Sequence, residues 1–74
     1  MEVSITLKGD VLKIYIDNTL HLLIKEPIIG FQSWNRENRW WEIEYYLPSK
    51  TILTQYDNVD KWKTIVNALD NVFK

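Results

Sequence analysis

Phe31-Gln32-Ser33-Trp34-Asn35-Arg36-Glu37-Asn38-Arg39-Trp40-Trp41-Glu42-Ile43-Glu44-Tyr45-Tyr46-Leu47 holds three of the four tryptophans and two of the four tyrosines of a 74-residue chain. Alternation along it reads as a β-hairpin with aromatics on both faces. Ile29 and Phe31 must share the core face with Trp41, Ile43, Tyr45 and Leu47. That parity requires a loop with an odd number of residues. A three-residue loop, Arg36-Glu37-Asn38, satisfies it, with Asn38 in the left-handed position of a bulged turn. The resulting register predicts Phe31 opposite Ile43 and Ile29 opposite Tyr45 inside. Outside it sets Trp34 opposite Trp40, Gln32 opposite Glu42 and Gly30 opposite Glu44. One sheet face buries only one aromatic row. The outer row, Trp34, Trp40 and Tyr46, is either a contact surface or a set of cross-strand clasps.

Toward the N-terminus a second hairpin is simpler. Val3, Ile5 and Leu7 alternate with polar residues, as do Leu12, Ile14 and Ile16. A two-residue Gly9-Asp10 loop pairs Leu7 with Leu12, Ile5 with Ile14 and Val3 with Ile16, all on one face, so turn and pattern agree. After a turn at Asp17-Asn18-Thr19, the next strand offers Leu20, Leu22 and Ile24 to that face and His21, Leu23 and Lys25 to the other. Pro27 has no donor for a ladder, so a bend or a strand switch is expected at Glu26-Pro27.

Toward the C-terminus, Leu47-Pro48-Ser49-Lys50 is a turn. A loop of Pro48-Ser49 directs Ile52 and Tyr56 of the last strand inward. Asp57 or Asn58 then caps a helix whose Val59, Trp62, Ile65, Val66, Leu69 and Phe73 form one apolar stripe. The expected fold is α+β: a curled antiparallel sheet of five to six strands, followed by one C-terminal amphipathic helix packed on one sheet face. Residues 1–74 read as a single compact domain, with strands near 2–8, 11–17, 20–25, 28–34, 39–47 and 51–56 and a helix near 58–73. This outline, antiparallel strands closed by a C-terminal helix, resembles the pleckstrin-homology superfold; an outline alone implies no function.

Composition narrows the function classes. There are no cysteines, which removes disulfides and thiolate metal sites and leaves stability to the core or to self-association. The core is adequate for this: 46% of residues are apolar, and each large side chain buried contributes about 1.5–3 kcal/mol. A net charge of −1 argues against a protein devoted to neutralising phosphates. No basic-then-apolar leader and no long apolar run is visible, so a soluble, cytoplasmic protein without membrane contact is expected. About a third of the residues are Ile, Lys, Asn or Tyr, whose codons are AT-rich; this fits a bacterial or phage source.

Catalytic equipment is sparse. There is one histidine, His21, on the expected outer face of its strand. No phosphate loop, nucleophile elbow or metal-spaced cluster occurs. No enzyme activity, no cofactor and no metal is therefore expected. Glu42 and Glu44 point to one side of a strand; such a pair can do acid–base work or bind a cation, but on a wet face it serves solubility and guards against edge pairing. The aromatic row is the better candidate, because tryptophan and arginine are enriched at binding hot spots. The expected binding residues are Trp34, Trp40 and Tyr46 as anchors, with Arg36, Arg39, Glu42 and Glu44 as a charged rim. A protein partner, first of all a second copy of the chain, suits this mixture of aromatic centre and mixed-charge rim. Single-stranded nucleic acid stacked on the same tryptophans is the alternative, disfavoured by the acidic residues around them.

Overall fold

In the computed structural model, which describes residues 1–37 and 39–73, six antiparallel strands precede one helix. They are β1 (Val3–Lys8), β2 (Val11–Ile16), β3 (Thr19–Ile24), β4 (Gly30–Arg36), β5 (Trp40–Tyr46), β6 (Thr51–Tyr56) and α1 (Val59–Val72). The α+β class and the C-terminal helix are as expected. The single curled sheet is not: the strands form two three-stranded sheets, β1-β2-β3 and β4-β5-β6. The break falls in residues 25–29, around Pro27, which has no N–H to offer a ladder. Strand geometry resumes only at Gly30. The alternation of β4 therefore does not extend back to residue 29. Ile28 packs on the core, while Ile29, expected inside, is 72% exposed.

The first hairpin has the predicted register, Val3 opposite Ile16, Ile5 opposite Ile14 and Leu7 opposite Leu12. Gly9 takes φ +58° in its turn, a value glycine adopts at no steric cost. The next turn places Asp17 and Asn18 at φ +50° and +67°, the pair of positive values that a tight two-residue hairpin turn needs. It sets Thr19 opposite Ile16 and Leu20 opposite Tyr15. Continued unbroken, that register would turn Leu22 and Ile24 to solvent. A β-bulge at His21 resets it, so that Leu22 faces Ile14 and Ile24 faces Leu12. One extra residue thus rescues two core side chains. Two expectations fail there. Leu20 lies on the outer face, 47% exposed. His21, expected outside, reaches across to the other sheet, its Nε2 2.7 Å from the Tyr56 hydroxyl.

The inner faces of the two sheets and the helix meet in one core. Leu12, Ile14 and Ile24 come from the first sheet, Ile43, Tyr45, Leu47 and Tyr56 from the second, and Ile65 and Leu69 from α1. The Pro48-Ser49 turn is closed by the Leu47 N–H donating to the Lys50 carbonyl at 2.9 Å, which fixes Ile52 and Tyr56 inward as expected. Asn58 caps the helix, its Oδ1 accepting from the N–H groups of Asp60 and Lys61 at 2.9 and 3.1 Å. The helix lies chiefly against β1 and also touches β5 and β6. Phe73 at its end meets Phe31 with ring centroids 5.9 Å apart. Among the described residues no helix is long and apolar enough to cross a membrane.

Tyr45 is the poorly satisfied polar group of this core among the described residues. Its ring is fully buried, and its hydroxyl lies beside the Thr54 and Tyr56 hydroxyls without a well-formed hydrogen bond to either. Burial pushes its pKa far above the ordinary tyrosine value. An unpaired buried hydroxyl costs more than it returns. Tyr45→Phe is therefore expected to leave stability unchanged or raise it by about 1 kcal/mol, read as a higher urea midpoint. A clear drop would mean that the hydroxyl has a partner.

Candidate functional site

The outer face of the second sheet carries the residues singled out from sequence. The loop between β4 and β5 does have three residues, but they are 37–39, not 36–38. The left-handed conformation falls on Glu37, at φ +55°, and the Arg39 N–H donates to the Arg36 carbonyl at 3.0 Å. The role expected of Asn38 lies outside the described residues. The register shifts by two relative to expectation: Arg36 faces Trp40, Trp34 faces Glu42, Gln32 faces Glu44 and Gly30 faces Tyr46. Inside, Phe31 faces Tyr45 and Ser33 faces Ile43. The predicted Trp34–Trp40 pair does not form. Parity alone cannot separate registers that differ by two residues, because every side chain keeps its face.

The chemistry around Glu42 rationalises the observed register. Expected at the rim, Glu42 stands at the centre of the face and is 1% exposed. Its Oε1 accepts from Trp34 Nε1 at 2.7 Å and from Arg36 Nε at 3.0 Å. Its Oε2 accepts from Gln55 Nε2 at 2.5 Å. The backbone carbonyl of Glu42 accepts from Trp62 Nε1 of the helix at 3.0 Å. Only the observed register puts Trp34 and Gln55 directly beside Glu42, one on each neighbouring strand. The carboxylate is covered by one layer of side chains at the outer surface rather than sunk in the core. Hydrogen bonding from Gln55, then from Trp34 and Arg36, holds its pKa below the ordinary carboxylate value despite desolvation. A carboxylate held ionised by these donors is a tether for neighbouring side chains, not a poised proton donor.

The remaining residues surround this centre. Trp40 is 44% exposed at the tip of the hairpin, and the Asn35 side-chain amide donates to its carbonyl at 3.0 Å. Trp34 and Tyr46 are half-buried. The Tyr46 hydroxyl donates to Gln32 Oε1 at 3.1 Å, and the Glu44 carboxylate beside it raises its pKa. Arg39 is exposed in the loop. Two contributors were missed from sequence. Leu53, 46% exposed, adds apolar surface on β6. Gln55 supplies a tether donor, and the signal for it was present: the Pro48-Ser49 turn already sets Gln55 opposite Glu42.

His21 and Glu44 are not brought together, and no group of three or more metal-ligating side chains gathers among the described residues. Comparison with protein-family models, curated proteins and solved structures finds no match, so the pleckstrin-homology outline gains no support from that side.

Proposed function

We propose that this protein is a non-enzymatic binding module that recognises protein through the outer face of β4-β5-β6, in the first instance a second copy of itself. The observation that carries this reading is the tether at Glu42. It fixes Trp34, Arg36 and Gln55 beside an exposed Trp40, so the surface is held in one arrangement before any partner arrives. A preorganised face loses little side-chain entropy on binding. Trp40, Trp34, Tyr46 and Leu53 offer apolar area, while Arg39, Glu37 and Glu44 supply charges of both signs around it, the pattern of a protein interface.

The ion pair also weighs against nucleic acid. The Arg36 guanidinium sits 3.0 Å from the Glu42 carboxylate, so its charge is largely neutralised before a phosphate could meet it. Stacking of single-stranded nucleic acid on the same tryptophans predicts fluorescence quenching by an oligonucleotide at low salt, relieved by added salt.

Light scattering over a range of protein concentrations tests the main reading. The mass of the wild type is expected to rise from monomer toward dimer. Trp40→Ala is expected to weaken that association by about 2 kcal/mol, as removal of a hot-spot tryptophan does, with an unchanged circular dichroism spectrum. A wild type that stays monomeric at every concentration, or a variant that associates as well as wild type, overturns self-association through this face.

A further inference from the structure

The outer face of the other sheet has a different character. The register of the first hairpin sets Thr6 opposite Lys13 and Lys8 opposite Val11. These four side chains line an open surface depression of about 260 Å³. Lys8 and Lys13 are diagonal neighbours on this face, about 7–8 Å apart as such pairs are. Neither has an ion-pair partner among the described residues. No strand position on the face carries a carboxylate: its other occupants are Ser4, Tyr15, Leu20 and Leu23. The acids of this sheet stand off the strands, Asp10 in the turn and Glu2 and Asp17 at the opposite end. In a chain of net charge −1, two cations thus converge on one depression with apolar walls beside it.

The geometry points to this depression as a binding site for a small organic phosphate monoester. A phosphate monoester carries a charge of about −1.5 to −2 at neutral pH, which matches the two ammonium groups. The Thr6 hydroxyl donates a further hydrogen bond. Val11, with Leu23 next to it across from Lys13, receives the organic portion, a division of labour usual for ligand pockets. The surface belongs to β1-β2-β3 and is independent of the aromatic face.

Amide-resolved NMR titration with AMP, inorganic phosphate and adenosine tests it. AMP and phosphate are expected to shift the signals of Thr6, Lys8, Val11 and Lys13 along saturating curves, AMP the more tightly, while adenosine shifts none of them. Lys8→Gln and Lys13→Gln, both at exposed positions, are expected each to weaken AMP binding about fivefold with the rest of the spectrum in place. Linear shifts without saturation, equal shifts from adenosine, or variants that bind like wild type overturn the proposal. So does binding only to vesicles of anionic phospholipid, which would make the face a membrane contact instead.

Discussion

Leu69→Ala is expected to bring the protein close to unfolding. Leu69 is fully buried in the core that the helix shares with both sheets. Leucine-to-alanine changes at such sites cost about 2–5 kcal/mol, because the lost transfer energy is joined by a cavity that the surroundings only partly fill. A domain of this length has about 4–11 kcal/mol in total, so one side chain accounts for a large share. The variant's urea midpoint should fall by about half, and its near-ultraviolet circular dichroism should weaken well before the wild type's. A midpoint within a tenth of wild type, taking that fraction as roughly the error of such measurements, would mean that the helix contributes little to holding the sheets together.

The second large effect is expected at Glu42. Glu42→Ala leaves the indole N–H of Trp34 and the amide of Gln55 without their acceptor and frees Arg36. The melting temperature should fall by about 10 °C, and self-association should weaken with it, because the anchors lose their fixed positions. Glu42→Gln keeps the shape and removes the charge, and it separates the pH dependence. The folded-state pKa of Glu42 lies below its ordinary value of 4.5. Its contribution is therefore fully present above about that pH and is lost as pH falls through the lowered folded value. Wild type and Glu42→Gln should converge in stability on acidification through this window. Parallel acid-denaturation curves, with a constant gap between the two proteins, would show that the carboxylate is not the stabilising group.

What could be read from the chain alone divides along physical lines. Where a turn fixes its own geometry and the hydrophobic pattern agrees, register was legible to the residue, as at Gly9-Asp10 and Pro48-Ser49. The helix was legible too, because Asn58 and the stripe from Val59 to Phe73 give the same answer. The β3 register was not legible. The Asp17-Asn18 turn and the Leu22–Ile24 pattern demand opposite parities, and a bulge at His21 reconciles them only in three dimensions. The aromatic face was placed on the correct side of the sheet but two residues out of step. Parity is blind to such a shift, and the deciding interaction is a glutamate that looks like any surface acid until its three donors are assembled. The division into two sheets was only half-signalled: Pro27 marked the break, but nothing local said whether the chain would resume the same sheet or begin another.

The order of the strands has a kinetic consequence. Every ladder joins strands that follow one another along the chain, within residues 3–24 or within residues 30–56. Each hairpin closes only a short loop, so the entropy of bringing distant segments together is small and both meanders can form early. The packing of α1 on β1 brings the last element of the chain back to the first, while the two sheets meet through their inner faces. Neither meander buries its inner face alone, so docking of the helix and of one sheet on the other is the step expected to make folding all-or-none.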